Sequence, residues 1–248
     1  MSDLTAVYYP LQLPSRCLVY KDIIKDNSQE QIKIRAFKGK DEKLVAEIST
    51  ENFEKKFQQI LKNVLIGIEP SKLTVGDRQF LMLWETINSY DKLVSITHEC
   101  EHCWQKSDFS VDLSLLEVNY LPENFVEPYD VELPISKVTV KLRLLRLEDM
   151  ANIDELVKLG KNVWLYRYAL SLVNSKTVWE NVEYLENLDT QDLTRIRAFH
   201  DKFDHGIKME FNYTCPKCGG TGLMPVPFRL EMLLPYGKAI TKYLRNPV

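Results

Sequence analysis

Glycine is scarce in this sequence: nine occur in 248 residues, and three of them crowd together at Gly219, Gly220 and Gly222. Backbone that wraps a phosphate needs glycine at several fixed places, and neither GxGxxG nor GxxxxGKS/T occurs, so dinucleotide and P-loop enzymes are excluded. No apolar run approaches the roughly 18 residues of a spanning helix, so no membrane span is expected. The opening Met1-Ser-Asp-Leu-Thr-Ala-Val-Tyr-Tyr-Pro10 has neither a basic n-region nor an apolar h-region. A secretory signal is therefore not expected, and the chain is expected in the cytosol of the cell that makes it. Excess positive charge is missing too. The net charge is -3 and the pI about 5.9, whereas a nucleic-acid binder carries a basic footprint. The most basic stretch, Lys137 to Arg146, alternates with apolar residues as a strand face does. No nucleophile, base and oxyanion site assemble, so the expectation is a non-enzymatic protein with no small-molecule substrate.

What remains is an ordinary soluble composition, 45% hydrophobic and 27% charged, able to bury a core. Gln31-Ile-Lys-Ile-Arg-Ala-Phe37 has the period of a half-buried strand, and Gly39 to Glu42 reads as the turn after it. A helix is predicted from Thr50 to about Leu65, capped by Ser49 or Thr50, with Phe53, Phe57, Ile60, Leu61 and Val64 on one stripe. A second starts at Thr74 with Asp77 as its capping-box partner and Phe80, Leu81, Trp84 and Ile87 as its buried face. Val131 to Leu145 reads as a hairpin turning near Pro134 to Lys137. Helices are predicted from Leu147 to a C-terminal Gly160, over Asn162 to Val173, and after Asp189 with Leu193, Ile196, Phe199 and Phe203 inward.

Cysteine carries the chemistry. Four of the five stand in two CxxC pairs, Cys100-Glu-His-Cys103 and Cys215-Pro-Lys-Cys218, where chance would give roughly 0.1 such pairs. A CxxC turn sets two sulfurs side by side, and two turns supply a tetrahedral thiolate shell with zinc–sulfur bonds of about 2.3 Å. Reduced cytosolic thiols favour metal over disulfide. Each pair follows a strand-like run (Lys92 to His98, Ile207 to Tyr213) and precedes an alternating one. Val111 and Val226 stand at the same distance past their second cysteine, as do Leu113 and Phe228, and Leu115 and Leu230. This is a repeated hairpin design. Gly219 and Gly220 suit a knuckle that needs positive φ and room for N–H groups facing sulfur. The expectation is one structural Zn2+ on Cys100, Cys103, Cys215 and Cys218.

The pairs lie well over a hundred residues apart, beyond the 15–20 of a compact ribbon, yet closure entropy grows only logarithmically with loop length. Two separate reduced turns without metal remain an alternative. So does His98 or His102 in place of one sulfur. A thioredoxin-like site should open a helix, while Pro216 and the glycines point to a turn. A catalytic zinc needs an open position that four thiolates close. Cys17 reads as a small buried hydrophobe, and His200 and His205 as helix C-terminal residues that suit the dipole. Glu183, Glu186, Asp189 and Asp192 read as a solvated, capping face, and Trp164, Tyr166 and Tyr168 as core and interface. The fold class is α+β: a zinc-ribbon-like pair of CxxC hairpins with an N-terminal strand and helix region and an inserted, mainly helical segment. The corresponding division is 1–119, 120–205 and 206–248.

Taken in order, several pieces form a recognisable series. They are Leu13-Pro-Ser15, Tyr20, Ile32-Lys-Ile-Arg35, Asp41-Glu42, Asp77-Arg-Gln-Phe-Leu81, Ile87-Asn-Ser-Tyr90, the two CxxC pairs, Phe228-Arg-Leu230 and Leu233-Leu-Pro235. The series resembles the baseplate hub family of T-even-type contractile-tailed bacteriophages, best over 11–118 and 206–236. The resemblance implies a morphogenetic protein of the host cytoplasm that binds other phage baseplate hub proteins. At this length it looks more like the assembly factor than the structural member retained in the virion tail. A zinc-ribbon regulator that binds nucleic acid is the reading from another class.

Overall fold

The computed structural model describes residues 6–24, 31–48, 52–158 and 163–227. Along the chain run β1 (Tyr9–Pro10), β2 (Lys33–Ile34), α1 (Gly39–Ala46), α2 (Phe53–Val64), β3 (Leu65–Ile66), α3 (Val75–Ser89), β4 (Leu93–Glu99), β5 (Lys106–Asp112) and β6 (Val118–Asn119). Then follow β7 (Tyr129–Glu132), β8 (Thr139–Leu142), α4 (Leu147–Lys158), α5 (Tyr166–Ser171), α6 (Val178–Glu186), α7 (Thr190–Lys202), β9 (Gly206–Ile207), β10 (Glu210–Thr214) and β11 (Thr221–Pro225). The result is a mixed α/β protein of several small sheets. One has three strands in the order β1-β2-β3; the others are the antiparallel pairs β4-β5, β6-β9, β7-β8 and β10-β11.

Three large apolar clusters, and a small fourth of Leu145, Ile153 and Leu170, hold these pieces. The first gathers Leu13, Tyr20, Ile32, Ile34, the inner stripe of α2 and Leu81 and Met82 of α3. From Phe57 onward the predicted α2 stripe is fully buried, at 0% exposure for Phe57, Ile60, Leu61 and Val64. Each such side chain stabilises by about 1.5–3 kcal/mol before entropy is counted. The second cluster sets the β7-β8 hairpin against α5, α6 and α7, with Leu193, Ile196, Phe199 and Phe203 inward as their spacing predicts. The third surrounds the cysteines, with Leu83, Val111, Leu113, Ile207, Met224 and Val226. Helix α3 is therefore a wedge: Leu81 and Met82 face the first cluster while Leu83 faces the third.

Several local expectations change. Gly39 to Glu42 is not a turn but the first turn of α1. Its polar sequence hides the reason. Asp41 is fully buried because Arg35 grips its carboxylate, with Nη1 on Oδ2 at 2.7 Å, and because it accepts the Lys38 N–H at 2.9 Å. Thr74 does cap α3, its hydroxyl accepting from the Asp77 N–H at 3.2 Å. Asp77 does not reach back to complete a capping box. Its Oδ1 accepts the Ser15 N–H at 2.8 Å and its Oδ2 the Tyr20 hydroxyl. The helix predicted over Asn162 to Val173 contracts to Tyr166–Ser171, because Leu172 leaves it to bridge Leu142. No helix is predicted for 178–186, yet α6 forms behind a full capping box between Thr177 and Glu180. The caps at Ser49 and Thr50, Gly160, and the series from Phe228 to Pro235 lie outside the described residues.

Candidate metal centre

The turns of β4-β5 and β10-β11 carry the cysteines, and the two hairpins share one register. Glu99 faces Lys106 and Thr214 faces Thr221, so each strand stops one residue before a first cysteine and resumes three after a second. The Cys100 N–H donates to the Gln105 carbonyl at 3.1 Å and the Trp104 N–H to the Cys100 carbonyl at 2.8 Å. In the second turn, Cys215 and Gly220 match the first of these bonds at 2.8 Å, and Gly219 and Cys215 the second at 2.9 Å. Closing such a knuckle puts the residue after the second cysteine in the left-handed region, φ 58° at Trp104 and 73° at Gly219. Glycine makes that conformation easy at one turn only. At Gly220 the demand is space, since a Cβ there would lie 2.4 Å from Cδ2 of His102.

These turns bring all four predicted sulfurs together. Cys100 Sγ lies 3.8 Å from Cys218 Sγ, Cys103 Sγ lies 3.7 Å from Cys215 Sγ, and the whole set falls within 4.8 Å. A regular tetrahedron with 2.3 Å metal–sulfur bonds has edges of about 3.8 Å. A disulfide would need a separation near 2.05 Å. The arrangement thus has the size of a metal shell, and the four cysteines could hold a metal ion. Their burial is graded: Cys100 and Cys215 are buried, Cys103 is half-buried and Cys218 is exposed. The cluster has a sealed base and an open tip.

The sulfurs are also prepared for negative charge. N–H groups of His102, Lys217 and Gly220 point at the sulfurs of Cys100, Cys215 and Cys218, each at 3.4 Å. Burial pushes the Cys100 thiol up, but the N–H groups of His102 and Cys103, with Cys215 and Tyr213, outweigh it and hold the thiol at about 6. For Cys103 the Gln105 N–H works downward, while burial and the three neighbouring cysteines push the thiol up to about 12. The same crowding raises Cys218, against the pull of Gly220 and Cys103. One thiolate is welcome here and further ones repel it. A divalent cation would relieve that repulsion.

Neither histidine joins the group, which among the described residues consists of the four cysteines. His102 lays its ring over Gly220 with Nε2 2.9 Å from the Thr221 carbonyl oxygen. His98 packs edge-on to Tyr213, ring centroids 4.8 Å apart. Tyr213 escaped the sequence analysis. Its hydroxyl accepts the Glu101 N–H at 3.4 Å, and its ring fills the space that the missing side chain of Gly222 leaves. Its place two residues before a first cysteine was the available signal. Cys17 is fully buried in the first cluster, as expected of a small hydrophobe, with burial and Asp77 pushing its thiol up to about 12.

The dipole account of the other histidines needs correction. His200 does lie in the last turn of α7, but burial, aided by Arg167, brings it down to about 4, so it sits there neutral. His205 lies past that helix, with Nδ1 3.0 Å from the Phe203 carbonyl oxygen and Nε2 2.7 Å from the Thr74 hydroxyl. Asp192 is no solvated carboxylate: it is buried and accepts the N–H groups of Ile135 and Ser136 at 2.7 and 3.0 Å. Tyr168 packs in the second cluster, whereas Trp164 is 49% exposed beneath the Arg197 guanidinium. Glu85 is buried on α3, and burial pushes its carboxyl up to about 8. No helix among the described residues is long and apolar enough to cross a membrane.

Comparison with known proteins adds one finding. A family model described as T4 bacteriophage base plate protein matches residues 19–226. Neither a curated protein nor a solved structure matches the chain.

Proposed function

This chain belongs to the T4 bacteriophage base plate protein family, and we propose that within it the protein is a hub assembly factor that binds other baseplate hub proteins and catalyses no reaction. The family match over most of the chain carries this reading. A second support is the cysteine cluster, whose four donors would fill a tetrahedral shell and leave no open position for substrate. Zinc is the ion proposed, because soft thiolates in a tetrahedral set of this size suit it best. Bound there it would supply no chemistry beyond cross-linking the two hairpins through Cys100, Cys103, Cys215 and Cys218. The work would be done in the host cytoplasm during infection, with the tail baseplate as its destination or product.

Two measurements test the proposal. Co-expression with each hub protein, followed by size-exclusion chromatography, should give a co-migrating complex with at least one; none with any would refute the binding role. Mass spectrometry of purified particles beside infected-cell lysate should find the chain in the lysate and not in the particle. Its recovery from particles in stoichiometric amount would make it a structural hub component instead.

A further inference from the structure

The matching hairpins are the end of a longer repetition. Tyr9-Pro-Leu-Gln-Leu-Pro-Ser15 reads like Tyr129-Asp-Val-Glu-Leu-Pro-Ile135, and Ile32-Lys-Ile-Arg35 like Val140-Lys-Leu-Arg143. The pairing agrees with the letters: Tyr9 faces Ile34 as Tyr129 faces Leu142, and Pro10 faces Lys33 as Asp130 faces Lys141. A third strand position joins each time, Leu65 beside Ile34 and Leu172 beside Leu142. One left-handed residue, four places past each Leu of Leu-Pro, also recurs, with φ 57° at Cys17 and 59° at Lys137, although Arg16 beside the first is left-handed too at 52°.

The polar contacts of an arginine–aspartate clamp repeat atom for atom. Arg35 Nη1 donates to Asp41 Oδ2 at 2.7 Å and to the Ala36 carbonyl at 3.0 Å; Arg143 Nη1 donates to Asp149 Oδ2 at 2.7 Å and to the Leu144 carbonyl at 3.1 Å. The same aspartate oxygen also accepts the N–H three residues before it, from Lys38 at 2.9 Å and from Arg146 at 2.7 Å. Asp77 Oδ1 accepts from Ser15 at 2.8 Å, and Asp192 Oδ1 accepts from Ile135 at 2.7 Å, each aspartate in the first turn of the helix that leads to a CxxC hairpin. An arginine–aspartate clamp before one helix could arise by itself. A strand pair, a clamp, a bridging strand, an anchored helix and a CxxC hairpin in the same order twice could hardly do so.

We infer that the chain is two copies of one folding unit, 9–112 and 129–226, and that the cysteine cluster is the clasp of the interface between them, half of it from each copy. The contacts across the cluster are reciprocal: the first cysteine of one copy meets the second of the other, at 3.8 and 3.7 Å. His98 and Tyr213, each two residues before a first cysteine, meet each other. Equivalent residues meeting across an interface are the mark of an isologous contact. The segment 120–205 is then no insertion into a ribbon. It is mostly the body of the second copy, and α6, which has no counterpart in the first, is the added piece.

The test cuts the whole protein after it has folded. One variant carries a protease site between Glu123 and Asn124, in the exposed join between copies, and another between Ser175 and Lys176, equally exposed but inside the second copy. Both cut proteins are denatured and refolded with Zn2+. The pair from the join should regain the elution volume of the intact chain with one zinc per pair, and the pair cut inside a copy should not. Equal recovery from both, failure of both, or the reverse order would overturn the inference. Uncut Asp77→Ala and Asp192→Ala give an independent reading. Each should lower the melting temperature by roughly 5 °C, since Asp77→Ala orphans the buried Ser15 N–H and Asp192→Ala the two part-buried N–H groups of Ile135 and Ser136, and either carboxylate proving dispensable would remove the equivalence.

Discussion

Replacing Gly76 by alanine puts a single methyl group where the first turn of α3 crosses the backbone of His205 and Gly206. In the middle of an exposed helix this change would stabilise by up to about 1 kcal/mol. Here the new Cβ would lie 2.0 Å from the carbonyl oxygen of His205 and 2.7 Å from its carbonyl carbon. The opposing atoms are backbone and cannot swing aside, so the two segments must part by more than an ångström to reach ordinary contact. Gly206 faces the same crossing at φ 118°, its own added Cβ 2.9 Å from the Cα of Gly76. Parting them strains the Thr74–His205 hydrogen bond and the β6-β9 pairing one residue further on. Overpacking a core usually costs about 1–3 kcal/mol. With backbone against backbone and a buried hydrogen bond at risk, about 3 kcal/mol or more is expected here. That corresponds to a melting temperature lower by roughly 6–12 °C for a chain of this size. Gly39→Ala is the control, because its Cβ would meet nothing within 4 Å, and it should be neutral or raise stability by a few tenths of a kcal/mol. Thermal and urea unfolding of both variants decide the matter. A Gly76→Ala protein as stable as its parent would refute the close crossing.

Cys215→Ser should abolish bound zinc by elemental analysis and cost several kcal/mol, since metal binding is coupled to folding; Cys17→Ser should leave metal content unchanged. His200 sits neutral with its titration lowered to about 4, so the unfolded chain binds the extra proton and stability falls as the pH drops from about 6.5 to 4, by about 3 kcal/mol. That loss should be missing from His200→Gln when melting is followed across this range. Glu85 has the opposite sign: with its carboxyl raised to about 8, stability falls as pH rises from about 4.5 to 8, by up to about 5 kcal/mol. Glu85→Gln should therefore gain on the parent at pH 8 and not at pH 5, and an equal effect at both would refute the neutral carboxyl. Arg35→Met strands a fully buried Asp41 and should cost about 3–5 kcal/mol, whereas Arg143, with its side chain 30% exposed, should cost less in the same urea titration.

The convergence of the four cysteines was legible because its information is local. Spacing within each CxxC fixes which sulfurs are neighbours, and the flanking period-two runs announce the hairpins. The α2 stripe and the face of α7 were legible for the same reason, since apolar residues at helical spacing have few other uses. The misses share a different cause. Helix α1 begins Gly39-Lys-Asp-Glu42, a turn by composition, and becomes helix because a residue outside it, Arg35, draws Asp41 inward. Asp77 and Asp192 read as caps or surface charge because their partners, Ser15 and Ile135, lie 62 and 57 residues away. Helix α6 could have been found from Thr177-Val-Trp-Glu180. The repetition beyond the hairpins escaped because its shared letters are few and the spacings between them differ in the two halves. Hydrogen-bond geometry keeps what the sequence has let drift.

Why a cation should sit at this particular place follows from the packing around it. A two-stranded hairpin alone is marginal in water, and each of the two inferred copies, 9–112 and 129–226, ends in one. The third apolar cluster binds the bases of both hairpins, where Val111 and Val226 are 0% and 2% exposed. Toward the tips that cohesion runs out: Cys218 is exposed and Trp104 is 71% exposed. Four thiols converge where apolar contact ends, so cross-linking by a bound ion would do there what burial does below. A hydrophobic residue in place of each cysteine would gain little area at so open a point. Four bonds to one ion would need no burial to be strong, and they would fix the angle between the two halves at the end where side-chain packing cannot.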